Sequence, residues 1–117
     1  MDGRRIAEAT ARWIDKHPAE FQALFSIVKD MQANGVIGRV RDRVATEAMN
    51  RNIEVREGDY RFANGLWAGI ARYMVFADPS LKNNPIEFQR SVIDNYGLVP
   101  INAEVRYGSF TYALEKD

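Results

Sequence analysis

Cysteine is absent from this chain of 117 residues, and histidine occurs once, at His17. Without thiols there is no disulfide, no thiolate metal site and no cysteine nucleophile. Zinc takes three or four N, S or O ligands, so one histidine without cysteine does not make a zinc site. Net charge is lacking too, since 16 basic residues balance 16 acidic ones. Such a chain advertises no bulk attraction to DNA or to an anionic membrane. Long hydrophobic runs are also missing. The longest, Leu66 to Ala77, is broken by Arg72 and is far short of the ~20 residues of a membrane span. The opening residues Met1-Asp2-Gly3-Arg4-Arg5 have no apolar stretch of the signal-peptide kind. These absences predict a soluble, cytoplasmic protein with no membrane partner.

What is present is an ordinary globular composition. Hydrophobic residues make up 46% and aromatics 11%, enough for a core without covalent staples. The length predicts one domain over residues 1–117.

Five helices are expected. The first runs from Arg4 to Lys16, with Asp2 as its cap and Ile6, Trp13 and Ile14 on its apolar stripe. His17-Pro18 ends it, because a residue before proline avoids the helical region, and Pro18 opens the next. In the second helix Phe21, Leu24, Phe25, Val28 and Met31 fall on one face, and Asn34-Gly35 stops it. A third, Gly38 to Arg51, has a thin stripe of Val40, Val44 and Ala48 and belongs at the surface. The fourth, Gly65 to Ala77 behind an Asn64 cap, is apolar almost all round and is expected at the centre of the core. Its Gly69 and its alanines invite close approach by a neighbour. A fifth is signalled by Asn84-Pro85-Ile86-Glu87, a cap, a first-turn proline and a capping-box glutamate, and ends at Gly97.

Two hairpins complete the pattern. In Ile53–Phe62, a four-residue loop Arg56-Glu57-Gly58-Asp59 pairs Val55 with Tyr60 and Ile53 with Phe62, and sets Glu54 opposite Arg61. Near the end of the chain, a Gly108-Ser109 turn of type II′ pairs Tyr107 with Phe110, Val105 with Tyr112 and Ala103 with Leu114. Fold class is therefore α+β, mainly helical, with two short antiparallel hairpins.

No constellation reads as an enzyme site. His17 beside a helix-starting proline has no organised acid–base partner in the sequence. Glu54, Glu57 and Asp59 crowd a predicted turn but are interleaved with Arg56 and Arg61, and no EF-hand spacing occurs. Gly35-Val36-Ile37-Gly38 follows a helix rather than a strand and has no phosphate-loop lysine. The expectation is a protein that is not an enzyme and takes no cofactor.

Two clusters bear on binding. Arg39 and Arg43 share a helix face at i, i+4, a spacing at which like charges repel and phosphate brings relief. Asp42 and Glu47 stand three and four residues away, so a salt-bridged solvent face competes with that reading. Tyr107, Phe110 and Tyr112 share a strand face, where base stacking competes with core packing. Packing is the simpler account, because no basic residue interleaves with them.

Three stretches carry a resemblance. They are His17-Pro18-Ala19-Glu20-Phe21-Gln22-Ala23-Leu24-Phe25, the helix around Arg41-Asp42-Arg43-Val44, and Gly58-Asp59-Tyr60-Arg61-Phe62-Ala63-Asn64 leading into Ile70-Ala71-Arg72. From Ala11 to Leu81 the chain resembles a group of small uncharacterised proteins encoded by phages and prophages. It departs from that group at Ala63-Asn64-Gly65 and in its C-terminal extension. The resemblance implies a mobile-element context and no functional residue.

Two functions are thus expected. One is an accessory protein that binds a host or phage protein. The alternative is a nucleic-acid-binding regulator with Arg39 and Arg43 on a helix and Arg56 and Arg61 on a wing-like hairpin. A homodimer through the C-terminal hairpin or a helix face is expected with either. The competing monomer would have its hairpin edge guarded by Glu104, Arg106, Glu115 and Lys116.

Overall fold

The proline at position 18 sets the first corner. In a computed structural model, which describes residues 3–53, 64–88, 94, 98, 101 and 104–113, helix α1 (Gly3–Lys16) stops one residue before His17 and α2 (Pro18–Ala33) starts on the proline. The His17 side chain makes no cap. Its backbone carries the corner instead, donating to the Trp13 carbonyl and accepting from the Phe21 N–H. At the other end of α2, Gly35 takes a φ of 66°. That conformation lets the N–H groups of Gly35 and Val36 donate to the carbonyls of Gln32 and Met31, a Schellman closure.

Helix α3 (Val40–Asn50) closes the same way with an asparagine in glycine's role. Asn52 has a φ of 56°, and Asn52 and Ile53 donate to Met49 and Ala48. Helix α4 (Asn64–Ala77) runs into a 3-10 turn (Pro79–Leu81) that Asp78 caps by accepting the Ser80 N–H.

Strands β1 (Glu104–Tyr107) and β2 (Phe110–Ala113) form one antiparallel hairpin in the expected register: Val105 opposite Tyr112, Arg106 opposite Thr111, Tyr107 opposite Phe110. Of the two turn residues only Gly108 has a positive φ, the type II′ pattern. The expected Ala103–Leu114 pair lies outside the described residues.

Helix α2, not α4, is the centre of the packing. Phe21, Leu24, Phe25 and Val28 are fully buried on it, and α1, α3 and β1 all pack against it. Burying each such side chain contributes about 1.5–3 kcal/mol. Helix α4 lies on α1 and buries Ile70, Tyr73 and Met74, while Phe76 is exposed. Uniform apolarity along a helix therefore overstated its burial. Gly69 is the contact point between α4 and α1: a Cβ there would stand 2.0 Å from Thr10 Oγ1.

The fold is α+β and mainly helical, with four α-helices and one hairpin among the described residues. The expected hairpin Ile53–Phe62 lies outside them beyond Ile53. The expected fifth helix does not open at Asn84. The Asn84–Pro85 peptide is cis, the Ile86 N–H donates to the Leu81 carbonyl, and the Ile86 carbonyl accepts from Asn83. Lys82 and Ile86 pair as an isolated bridge. The physical reason is tertiary. Pro85 and Ile86 are buried and the Gln32 amide donates to the Asn84 carbonyl, which together outweigh a capping signal of about 1 kcal/mol. Of residues 89–97 only Asp94 is described, in a 3-10 turn.

Candidate functional site

The Schellman end of α2 and the left-handed Gly38 and Arg39 (φ 79° and 52°) fold α3 back alongside α2. A groove of about 530 Å³ lies between the two helices. Its apolar lining comes from Ile27, Met31 and Val36. Asp42, Arg43 and Glu47 line it from α3, Arg39 from just before that helix, Asp30 from α2, and Arg51 from beyond the end of α3. Three arginines and three carboxylates leave the lining with no net charge.

The pairing inside this set differs from the sequence expectation. Asp42 stands 3.7 Å from Arg41, and Glu47 is 3.0 Å from Arg51, which also approaches Asp30 at 3.6 Å. Arg43 Nε donates to the Gly38 carbonyl instead of meeting Glu47. Neither Arg39 nor Arg43 has a carboxylate partner among the described residues. The reason is geometric: Glu47 is four residues from both Arg43 and Arg51, and the helix end lets Arg51 reach it while also meeting Asp30 on α2.

Arg39 and Arg43 are thus brought together on one groove, while Arg56 and Arg61 fall outside the described residues. Arg51 and Asp30 were not singled out from the sequence. The i, i+4 spacing of Glu47 and Arg51 was the available signal, whereas Asp30 joins the site only through packing of α2 on α3. Asp30 also accepts the Tyr107 O–H at 2.9 Å, and this bond to a carboxylate pushes the phenol above its ordinary pKa.

A second cavity, of about 630 Å³, opens on the other side of the α3 N-terminus between Arg41, Trp67, Arg72 and Phe88. There Arg72 stacks 4.6 Å from the Phe88 ring and holds the Asp94 carboxylate through Nε and Nη2 at 2.6 and 3.0 Å.

A buried ion pair lies apart from both cavities. Lys29 Nζ donates to Asp78 and to Gln32, each at 2.7 Å, and sits about 5.5 Å from the rings of Tyr107 and Tyr112. Burial works against both charges. The pair outweighs it, holding the Lys29 ammonium above its ordinary pKa and, with Ser80, the Asp78 carboxylate below its own. Through Asp78, which directly follows α4, the ammonium ties α2 to the end of that helix.

The aromatic strand face divides in two. Val105 is buried, Tyr107 and Tyr112 are half-buried, with Tyr112 against Phe25, and Phe110 is 67% exposed at the tip. Phe110 is thus not a core residue, because the hairpin turn carries it past the end of the surface that covers Tyr112. No described helix is long and apolar enough to cross a membrane. No family model, curated protein or solved structure matches the chain.

Proposed function

We propose that this protein is a non-enzymatic interaction module, of the accessory kind encoded by phages and prophages, whose α2–α3 groove holds a short acidic and apolar segment of a partner protein. The observation that carries the reading is the pair Arg39 and Arg43, which lack carboxylate partners among the described residues and stand beside an apolar strip of Ile27, Met31 and Val36. An Asp or Glu of the partner would meet the guanidinium groups, and a neighbouring aliphatic or aromatic residue would cover Met31. A charge-assisted contact fixes the register of such a segment, and the apolar anchor supplies affinity.

Nucleic acid is the second reading, favoured by the same two arginines. Asp30, Asp42 and Glu47 in the same lining count against it, because a phosphate backbone needs a net positive track.

The test is selection from a random peptide library, with a gel shift on duplex DNA at low salt in parallel. Enriched peptides should carry Asp or Glu next to a large apolar residue, and Arg39→Glu with Arg43→Glu should abolish their binding. Enrichment without acidic residues, or binding that survives the double change, refutes the reading. A gel shift that weakens steeply with salt and is lost in the double variant moves the assignment to nucleic acid.

A further inference from the structure

The two edges of the C-terminal hairpin are not equivalent. In an antiparallel ladder, directly opposed residues alternate between pairs that exchange hydrogen bonds and pairs whose N–H and C=O groups point outward. Tyr107 and Phe110 flank a two-residue turn and are an exchanging pair. Arg106 and Thr111 are then an outward pair. On the β1 side the Gln22 side chain takes up that outward backbone. Its amide nitrogen donates to the Arg106 carbonyl at 2.7 Å, and its amide oxygen accepts the Arg106 N–H. One glutamine on α2 thus acts as a one-residue strand and closes the edge of β1.

On the β2 side the N–H and C=O of Thr111 point away from β1, and none of the described residues takes them up. Edges of this kind are ordinarily guarded by charges, prolines or bulges. Gly108 to Ala113 contains no charged residue and no proline. Of the charges expected to guard the hairpin, Glu104 and Arg106 sit on β1, where Gln22 already does so, and Glu115 and Lys116 lie outside the described residues.

We infer that β2 pairs antiparallel with β2 of a second copy of this chain, with Thr111 on the two-fold axis, to make a continuous four-stranded sheet. The outward N–H and C=O of Thr111 exchange with those of its symmetry mate. This register is self-complementary. It sets Phe110 opposite the second copy's Tyr112, twice, on the face that already carries Val105 and Tyr107, and it opposes no like charges. The opposed aromatic rings fall at non-exchanging positions, where side chains come closest. The exposed Phe110 is thereby covered, and the aromatic row begun by Phe25 and Tyr112 continues across the axis. This surface is separate from the α2–α3 groove, so either assignment stands without the other.

Light scattering and sedimentation equilibrium over ~1–100 µM, the range in which a modest interface populates a dimer, test the inference. The expected mass is twice the 13.4 kDa of one chain. Thr111→Pro removes an N–H that the hairpin does not use, so it should leave the far-UV circular dichroism unchanged and give a monomer. Phe110→Lys should weaken association about tenfold or more by replacing two aromatic pairs with a charge. Met49→Lys, at an exposed apolar position on α3, should leave the dimer unaltered. If Thr111→Pro unfolds the chain, Phe110→Lys still reports on the same edge. A wild-type mass of one chain throughout overturns the inference and leaves the edge to a strand from a different protein. Folded variants that both remain dimeric overturn it as well.

Discussion

Replacing Gly69 by alanine puts a methyl group into the contact between α4 and α1. The new Cβ would lie 2.0 Å from Thr10 Oγ1, 2.8 Å from Thr10 Cβ and 3.0 Å from Thr10 Cγ2. Rotating Thr10 relieves the first and third contacts but not the second, because Cβ moves only with the backbone. Thr10 is also fully buried and its hydroxyl donates to the Ile6 carbonyl at 2.7 Å, so even rotation breaks a hydrogen bond. Overpacking of this kind costs about 1–3 kcal/mol, and contact with a backbone-borne atom belongs at the upper end. Alanine in a helix interior returns about 1 kcal/mol over glycine. The net expectation is a loss of about 2 kcal/mol, or a fall of roughly 8 °C in Tm at about 4 °C per kcal/mol for a domain of this size. Urea unfolding of the wild type, Gly69→Ala, Thr10→Ala and the double variant would measure it. In the Thr10→Ala background the added methyl should cost less, with a coupling of about 1 kcal/mol. A Gly69→Ala protein more stable than the wild type would show that α1 and α4 do not approach this closely.

Three further outcomes follow from the buried pair and the helix ends. Lys29→Met should lower stability by about 3 kcal/mol or more, since it strands the Asp78 carboxylate away from water. Lys29→Met combined with Asp78→Leu should recover part of that in urea titrations. The pH dependence has a definite sign. Asp78 has its pKa lowered on folding from an ordinary 3.8, so its contribution is present above that value and is lost as pH falls through the folded pKa. Lys29 has its pKa raised from 10.5, so its share is present below that value and is lost only as pH rises through the higher folded pKa. Thermal melts from neutral pH down to pH ~2 should therefore fall less steeply for Asp78→Asn than for the wild type. Gly35→Ala should cost about 1 kcal/mol at its φ of 66°. Its added Cβ meets open space, so a much larger loss would point to something other than backbone strain.

Features set by neighbours in the chain were legible in the amino-acid sequence. Pro18 and Gly35 mark both ends of α2, because a ring without an N–H and a residue without a Cβ act on their own backbone. The hairpin register follows from Gly108 and strict alternation, since a slip by one residue would turn every aromatic to the wrong face. Arg39 and Arg43 are four residues apart, but Arg39 is a left-handed residue ahead of α3, so helical spacing does not set their common groove. Tertiary structure decided whatever depends on distant partners. Asn84-Pro85-Ile86 carries every mark of a helix start, yet burial of Ile86 and the Gln32 contact make it a turn. Lys29 finds Asp78 across 49 residues, and Gln22 closes the edge of β1 across 84. Arg43 has no carboxylate partner among the described residues because Arg51 takes Glu47 while reaching Asp30 on the neighbouring helix. Local propensities differ by about 1 kcal/mol or less per residue, and one buried side chain is worth more than that. Where a single residue's burial conflicts with its local signal, the packing therefore prevails.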